Sequence, residues 1–89
     1  MVLSMIDKAP LSVEFRGTTL TRRDVREPFI GRVSGYTVIV RDNIFAWSAT
    51  VKDNYGNILG KETQHRMSPN TQQTRDAFAA IGRLLDKLP

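Results

Sequence analysis

Two runs in the middle of the chain alternate apolar and polar positions, Tyr36-Thr37-Val38-Ile39-Val40-Arg41 and Ile44 to Val51, with Asp42-Asn43 between them. Side chains alternate across a strand, so each run reads as a β-strand with one apolar face. Taking Asp42-Asn43 as a two-residue turn pairs Arg41 with Ile44, Val40 with Phe45, Val38 with Trp47 and Tyr36 with Ala49. Tyr36, Val38, Val40, Phe45, Trp47, Ala49 and Val51 then share one face, and that face needs a cover.

The cover lies downstream. Ala77, Phe78, Ile81, Leu84, Leu85 and Leu88 recur at helical spacing, with Arg75, Asp76, Arg83, Asp86 and Lys87 on the other side. Ser68 suits the N-cap and Pro69 the first helical position. Gly82 falls inside this helix, which suits a close approach to the sheet. Between hairpin and helix, Asp53-Asn54-Tyr55-Gly56 has the residues of a type I turn closed by a left-handed glycine. A strand over Asn57 to His65 would return from it, placing Leu59 beside Val51, or Ile58 if the loop is one residue longer.

Upstream, Leu11, Val13 and Phe15 alternate with polar residues and predict a short strand closed by Gly17. Thr18 to Arg26 reads as an edge strand or an exposed loop, and Pro28 argues against a regular central strand there. Phe29-Ile30 either enters the core or starts a strand, and Gly31, Ser34 and Gly35 mark a bend or bulge. The expected architecture is α+β. An antiparallel sheet of three strands, with Leu11–Arg16 as a fourth, packs on one face against a C-terminal helix. Residues 1–10 are expected to be a flexible arm and residues 11–89 a single domain.

The second face of the central hairpin would carry Thr37, Ile39, Arg41, Ile44, Ala46, Ser48, Thr50 and Lys52. Ile39, Ile44 and Ala46 make it more apolar than a solvated sheet face needs to be. It is expected to be covered by the N-terminal segment or by a partner, and a symmetric homodimer is one candidate for that partner.

Charge adds a second possibility. Thirteen Lys and Arg against nine Asp and Glu give +4 over 89 residues and a pI near 10.0. Residues 1–34 carry six basic and four acidic side chains, and residues 35–89 seven and five, so the excess is spread evenly. That distribution suits solubility as well as it suits nucleic acid. Arg22, Arg23 and Arg26 form the one local cluster, and Arg41 and Lys52 stand at strand ends among hydroxyl residues. These five are the candidate phosphate contacts. Of the aromatic residues, Tyr55 at a hairpin tip is the one expected to be free to stack on a base.

The sequence offers little to catalysis. His65 is the one imidazole, and no serine or cysteine constellation stands near it in the sequence. The carboxylates are scattered, the segment from Asp53 to Asn57 lacks calcium-loop spacing, and there is no cysteine. Neither enzyme activity nor a cofactor or metal is expected. The N-terminal residues lack the run of a signal peptide and no stretch is long enough to span a membrane, so the cytoplasm is the expected location.

Two resemblances follow from these motifs. Gly35-Tyr36-Thr37-Val38-Ile39-Val40, Trp47, Asp53 to Gly56 and Asp76-Ala77-Phe78-Ala79-Ala80 are similar to small bacterial domains of unknown function. In these, a Gly-Tyr strand, a second strand, an Asp-x-x-Gly turn, a third strand and an Ala-rich helix recur. Strands followed by one helix also resemble the second part of double-stranded RNA-binding domains. That family's lysine-rich helix start corresponds to Ser68 to Arg75 here, which has one basic residue, so its RNA contact is not carried over. The expected function is a protein-interaction or self-association module. The alternative is weak, sequence-independent binding of RNA or single-stranded DNA.

Overall fold

The computed structural model describes residues 10–42, 46–65 and 73–88. Within these residues six strands precede a helix: β1 (Ser12–Phe15), β2 (Thr18–Thr21), β3 (Phe29–Val33), β4 (Tyr36–Asp42), β5 (Ala46–Lys52), β6 (Ile58–His65) and α1 (Gln73–Asp86). β3 to β6 form an antiparallel sheet in chain order, and β1 and β2 form a separate antiparallel pair. The class is α+β, as the pattern predicts. The fourth strand of the main sheet is Phe29–Val33, however, not Leu11–Arg16.

Local turn chemistry explains that exchange. Arg16 and Gly17 have φ of 50° and 80°, and Ser34 and Gly35 have 54° and 86°. Phe15 pairs with Thr18 and Val33 with Tyr36, so both are two-residue turns with two left-handed residues, a geometry that matches strand twist. What reads as a bend at Ser34-Gly35 is therefore the tip of the β3–β4 hairpin. Pro28 sits just ahead of β3, where its missing N–H interrupts no ladder.

β4 and β5 pair Val38 with Val51, Val40 with Ala49 and Asp42 with Trp47, four residues away from the two-residue-turn register. An even shift preserves the alternation. Val38, Val40, Trp47, Ala49 and Val51 are accordingly all buried on one face, as expected. The observed register has a cause in charge. It carries Asp42 to the covered side, where Arg22 donates to both carboxylate oxygens and Thr74 Oγ1 donates to Oδ2. At the tip of a tight turn, Asp42 would have left the buried Arg22 guanidinium without this carboxylate. Phe45, Ser68 and Pro69, along with residues 1–9 of the expected arm, lie outside the described residues.

β5 and β6 depart further from expectation. The Asp53 loop forms as read, with Gly56 at φ 85° and its N–H on the Asp53 carbonyl at 3.3 Å. A bulge then follows: Lys52 pairs with Ile58 but Val51 pairs with Gly60. Leu59 is the extra residue. Neither Leu59 nor Ile58 enters the core; they are 41% and 59% exposed. Gly60 takes the position opposite Val51 because Leu84 lies against it, and a Cβ there would come within 2.9 Å of Leu84 Cδ2.

α1 lays Ala77, Phe78, Ala80, Ile81, Leu84 and Leu85 on the sheet. The β1–β2 hairpin covers the rest of the same face. Leu20 rests on Gly31, and Phe78 is held between Phe15 and Phe29, at centroid distances of 5.5 and 5.3 Å. The close approach at Gly82 is therefore to this hairpin and not to the main sheet. A Cβ on Gly82 would meet Arg16 Nη2 at 3.4 Å and Phe15 Cζ at 3.7 Å.

Candidate partner-binding face

Helix and hairpin share one side of the main sheet, and no described element packs across the other. Strand alternation and register assign its residues. Ile30 pairs with Ile39, Ile39 with Thr50 and Thr50 with Lys61, so these four form one row across the four strands. Arg32, Thr37, Lys52 and Ile58 form the row on one side, and Arg41, Ser48 and Thr63 the row on the other, with Ala46 and His65 beyond. Ile30 is 57% exposed. Ile39 beside it is half-buried, which makes a two-residue aliphatic centre.

The charge on this face has one sign. Arg32, Arg41, Lys52 and Lys61 lie on it, and none of the described carboxylates does. Arg32 donates to the Gly35 carbonyl at 3.1 Å and to Asn54 Oδ1 at 2.7 Å, both neutral acceptors. Arg41, Lys52 and Lys61 form no ion pair with a described carboxylate. The acids are spent elsewhere. Asp86 holds Arg16 at 2.9 Å, Glu62 holds Arg83 at 2.7 Å, and Asp42 holds Arg22. Rotation of one peptide unit along β6 sends Glu62 to the helix side and Lys61 to the open side.

The expected arginine cluster does not form a surface. The Arg22 side chain is fully buried and stacked 4.2 Å over the Phe29 ring. Its Nε donates to the Pro10 carbonyl at 3.0 Å and one Nη to the Glu27 carbonyl at 3.3 Å, besides the Asp42 contacts. A buried guanidinium with four of its five N–H groups so committed is out of reach of a phosphate, and Arg22 is removed from the candidate contacts. Arg23 and Arg26 remain exposed on the loop before β3, facing Glu27 at 3.7 Å and Asp24 at 4.0 Å. Arg41 and Lys52 stand on the open face as read. Of the candidate docking residues, Ile39 is its half-buried centre and Ala46 its half-buried end, while Ile44 lies outside the described residues.

Ile30, Arg32 and Lys61 belong to the face and escape a sequence reading. The signal was there in Phe29-x-Gly31-x-Val33, an alternation masked by Pro28 and by Gly31 standing where an apolar residue would be expected. The bulge at Leu59 similarly hides the phase of β6. Apart from Tyr55, the described aromatic residues keep to the covered side. Trp47 and Phe29 are buried and Tyr36 is half-buried, while Tyr55, 90% exposed, stands at the β5–β6 tip.

On the helix side, Trp47, Gln64, Asp76, Ala79 and Arg83 line an open cleft. Its polar groups are engaged: Trp47 Nε1 donates to Gln64 Oε1 at 3.0 Å, and Glu62 holds Arg83. That hydrogen-bonded contact keeps Glu62 below the usual glutamate range and raises Arg83. Asp53 is likewise lowered, by the Asn57 side chain and then by backbone N–H groups of its own loop. Among the described residues no group of His, Cys, Asp and Glu is placed to hold a metal ion, and no helix is long and apolar enough to cross a membrane. No family model, curated protein or solved structure matches the chain.

Proposed function

We propose that this chain is a non-catalytic protein-interaction module and that the open face of the main sheet is its docking surface. One observation carries the reading: the exposed Ile30 and the half-buried Ile39 stand side by side on a sheet face whose surroundings, apart from Ile58, are polar and charged. Interfaces are built this way, with an apolar centre that desolvates fully and a polar rim that orients the partner. A solvated face would not need two isoleucines side by side on adjacent strands. Nucleic-acid binding is the second reading, favoured by the four cations that no described carboxylate neutralises.

Sedimentation equilibrium on the chain alone, and mixed with polyglutamate or with oligothymidylate at low salt, tests the reading. A mass increase with rising concentration of the chain, or on adding polyglutamate, supports it, provided that Ile30→Asp/Ile39→Asp abolishes the increase. An unchanged mass in every mixture, or an increase with oligothymidylate alone, contradicts it.

A further inference from the structure

From the charge of the open face we infer its occupant: an acidic polypeptide segment that seats one aliphatic side chain on the Ile30–Ile39 pair. The inference rests on the open-face reading and names the partner's chemistry. Strand spacing places Arg32, Arg41, Lys52 and Lys61 around Ile39 and Thr50 within a patch about 14 Å on a side. Cations ringing an apolar centre complement an apolar residue flanked by carboxylates.

The same ring argues against the other occupants. A second copy docked face to face would oppose cation to cation, because no described carboxylate on this face can answer them. A single-stranded nucleic acid would find phosphate partners but, among the described residues of this face, no aromatic platform: Trp47, Phe29 and Tyr36 lie on the helix side and Tyr55 stands apart at the β5–β6 tip. It would also leave the two isoleucines against sugar and phosphate. Size limits the occupant too. Four strands of about seven residues span roughly 300 Å², well below the about 800 Å² that each side of a stable domain–domain interface buries. A short segment binding transiently fits that area.

The test is a titration of the 15N-labelled chain with a synthetic peptide of Asp and Glu around one central Leu, at about 50 and about 200 mM salt. A matched peptide with Ser for Leu and an oligothymidylate serve as comparisons. The inference expects saturable shifts of the Ile30, Ile39, Thr50 and Lys61 amides that weaken with salt. It also expects roughly tenfold weaker binding of the Ser peptide and weaker binding still of the oligothymidylate. No saturable shift at low salt, shifts centred off this face, or equal binding of the Leu and Ser peptides overturns it. Tighter binding of oligothymidylate overturns both the inference and the interaction-module reading. Self-association lost in Ile39→Asp, with no response to peptide, overturns the inference alone and leaves that reading standing.

Discussion

Leu20 of β2 lies over Gly31 of β3 so closely that a Cβ on Gly31 would stand 2.9 Å from Leu20 Cδ2 and 3.1 Å from its Cγ. This contact docks the small hairpin on the main sheet. It also explains why a glycine occupies a mid-strand position that an apolar residue would otherwise fill. Leu20 is 1% exposed and has nowhere to turn. Gly31→Ala is therefore expected to destabilise the fold by about 1–3 kcal/mol, as overpacking of a filled core does. A double-mutant cycle in urea with Leu20→Ala checks it: the two changes should be less costly together than their sum. Additive costs would mean that the hairpin is docked by other contacts.

Arg22 and Asp42 form the second tie. The pair joins Pro10, the loop before β3, the end of β4 and the first turn of α1 through one guanidinium and one carboxylate. Removing one partner of a buried pair strands the other. Arg22→Ala should cost about 3–5 kcal/mol, and Arg22→Met/Asp42→Leu should recover most of that loss. Guanidinium denaturation measures both. A loss below about 1 kcal/mol for Arg22→Ala would show the pair to be hydrated in solution.

The acid limb of stability should trace to Glu62 and Asp53. Both are held below the ordinary carboxylate range in the folded chain, so the unfolded chain binds more protons in that window. Their contribution is present above the unfolded-state values near pH 4 and is lost as pH falls through the lower folded-state values. Both sites are at the surface, so the effect is screened by salt. Urea midpoints measured from about pH 6 to about pH 2 should fall with acid, and less steeply in Asp53→Asn/Glu62→Gln. A double variant with the wild-type slope would assign the acid limb to other groups.

How far the fold is legible follows from which forces are local. Alternation over Tyr36 to Val51 and the helical stripe from Ala77 to Leu88 give the covered face and its cover, because each is set by backbone geometry alone. The register between β4 and β5 is not legible, since a shift of four residues leaves every side chain on the same face. What selects it is Asp42 meeting Arg22, a contact between residues 20 apart in sequence. The open face was half legible. Ile39, Arg41 and Lys52 fall on it by alternation, whereas Ile30, Arg32 and Lys61 emerge only once β3 is in the sheet and β6 has its bulge. The cluster Arg22-Arg23-Arg26 shows the opposite failure. Adjacent charges in sequence say nothing of burial, and Arg22 is the one turned inward.

Reversing two cations tests the central claim most directly. Arg41 and Lys61 are exposed and form no ion pair with a described carboxylate, so Arg41→Glu/Lys61→Glu should leave the unfolding free energy nearly unchanged, within about 0.5 kcal/mol. The affinity for the acidic Leu peptide should fall by tenfold or more, as like charges replace opposite ones on the rim. Unchanged affinity in a variant of unchanged stability would contradict the account, because the open face would then not be where an acidic partner docks.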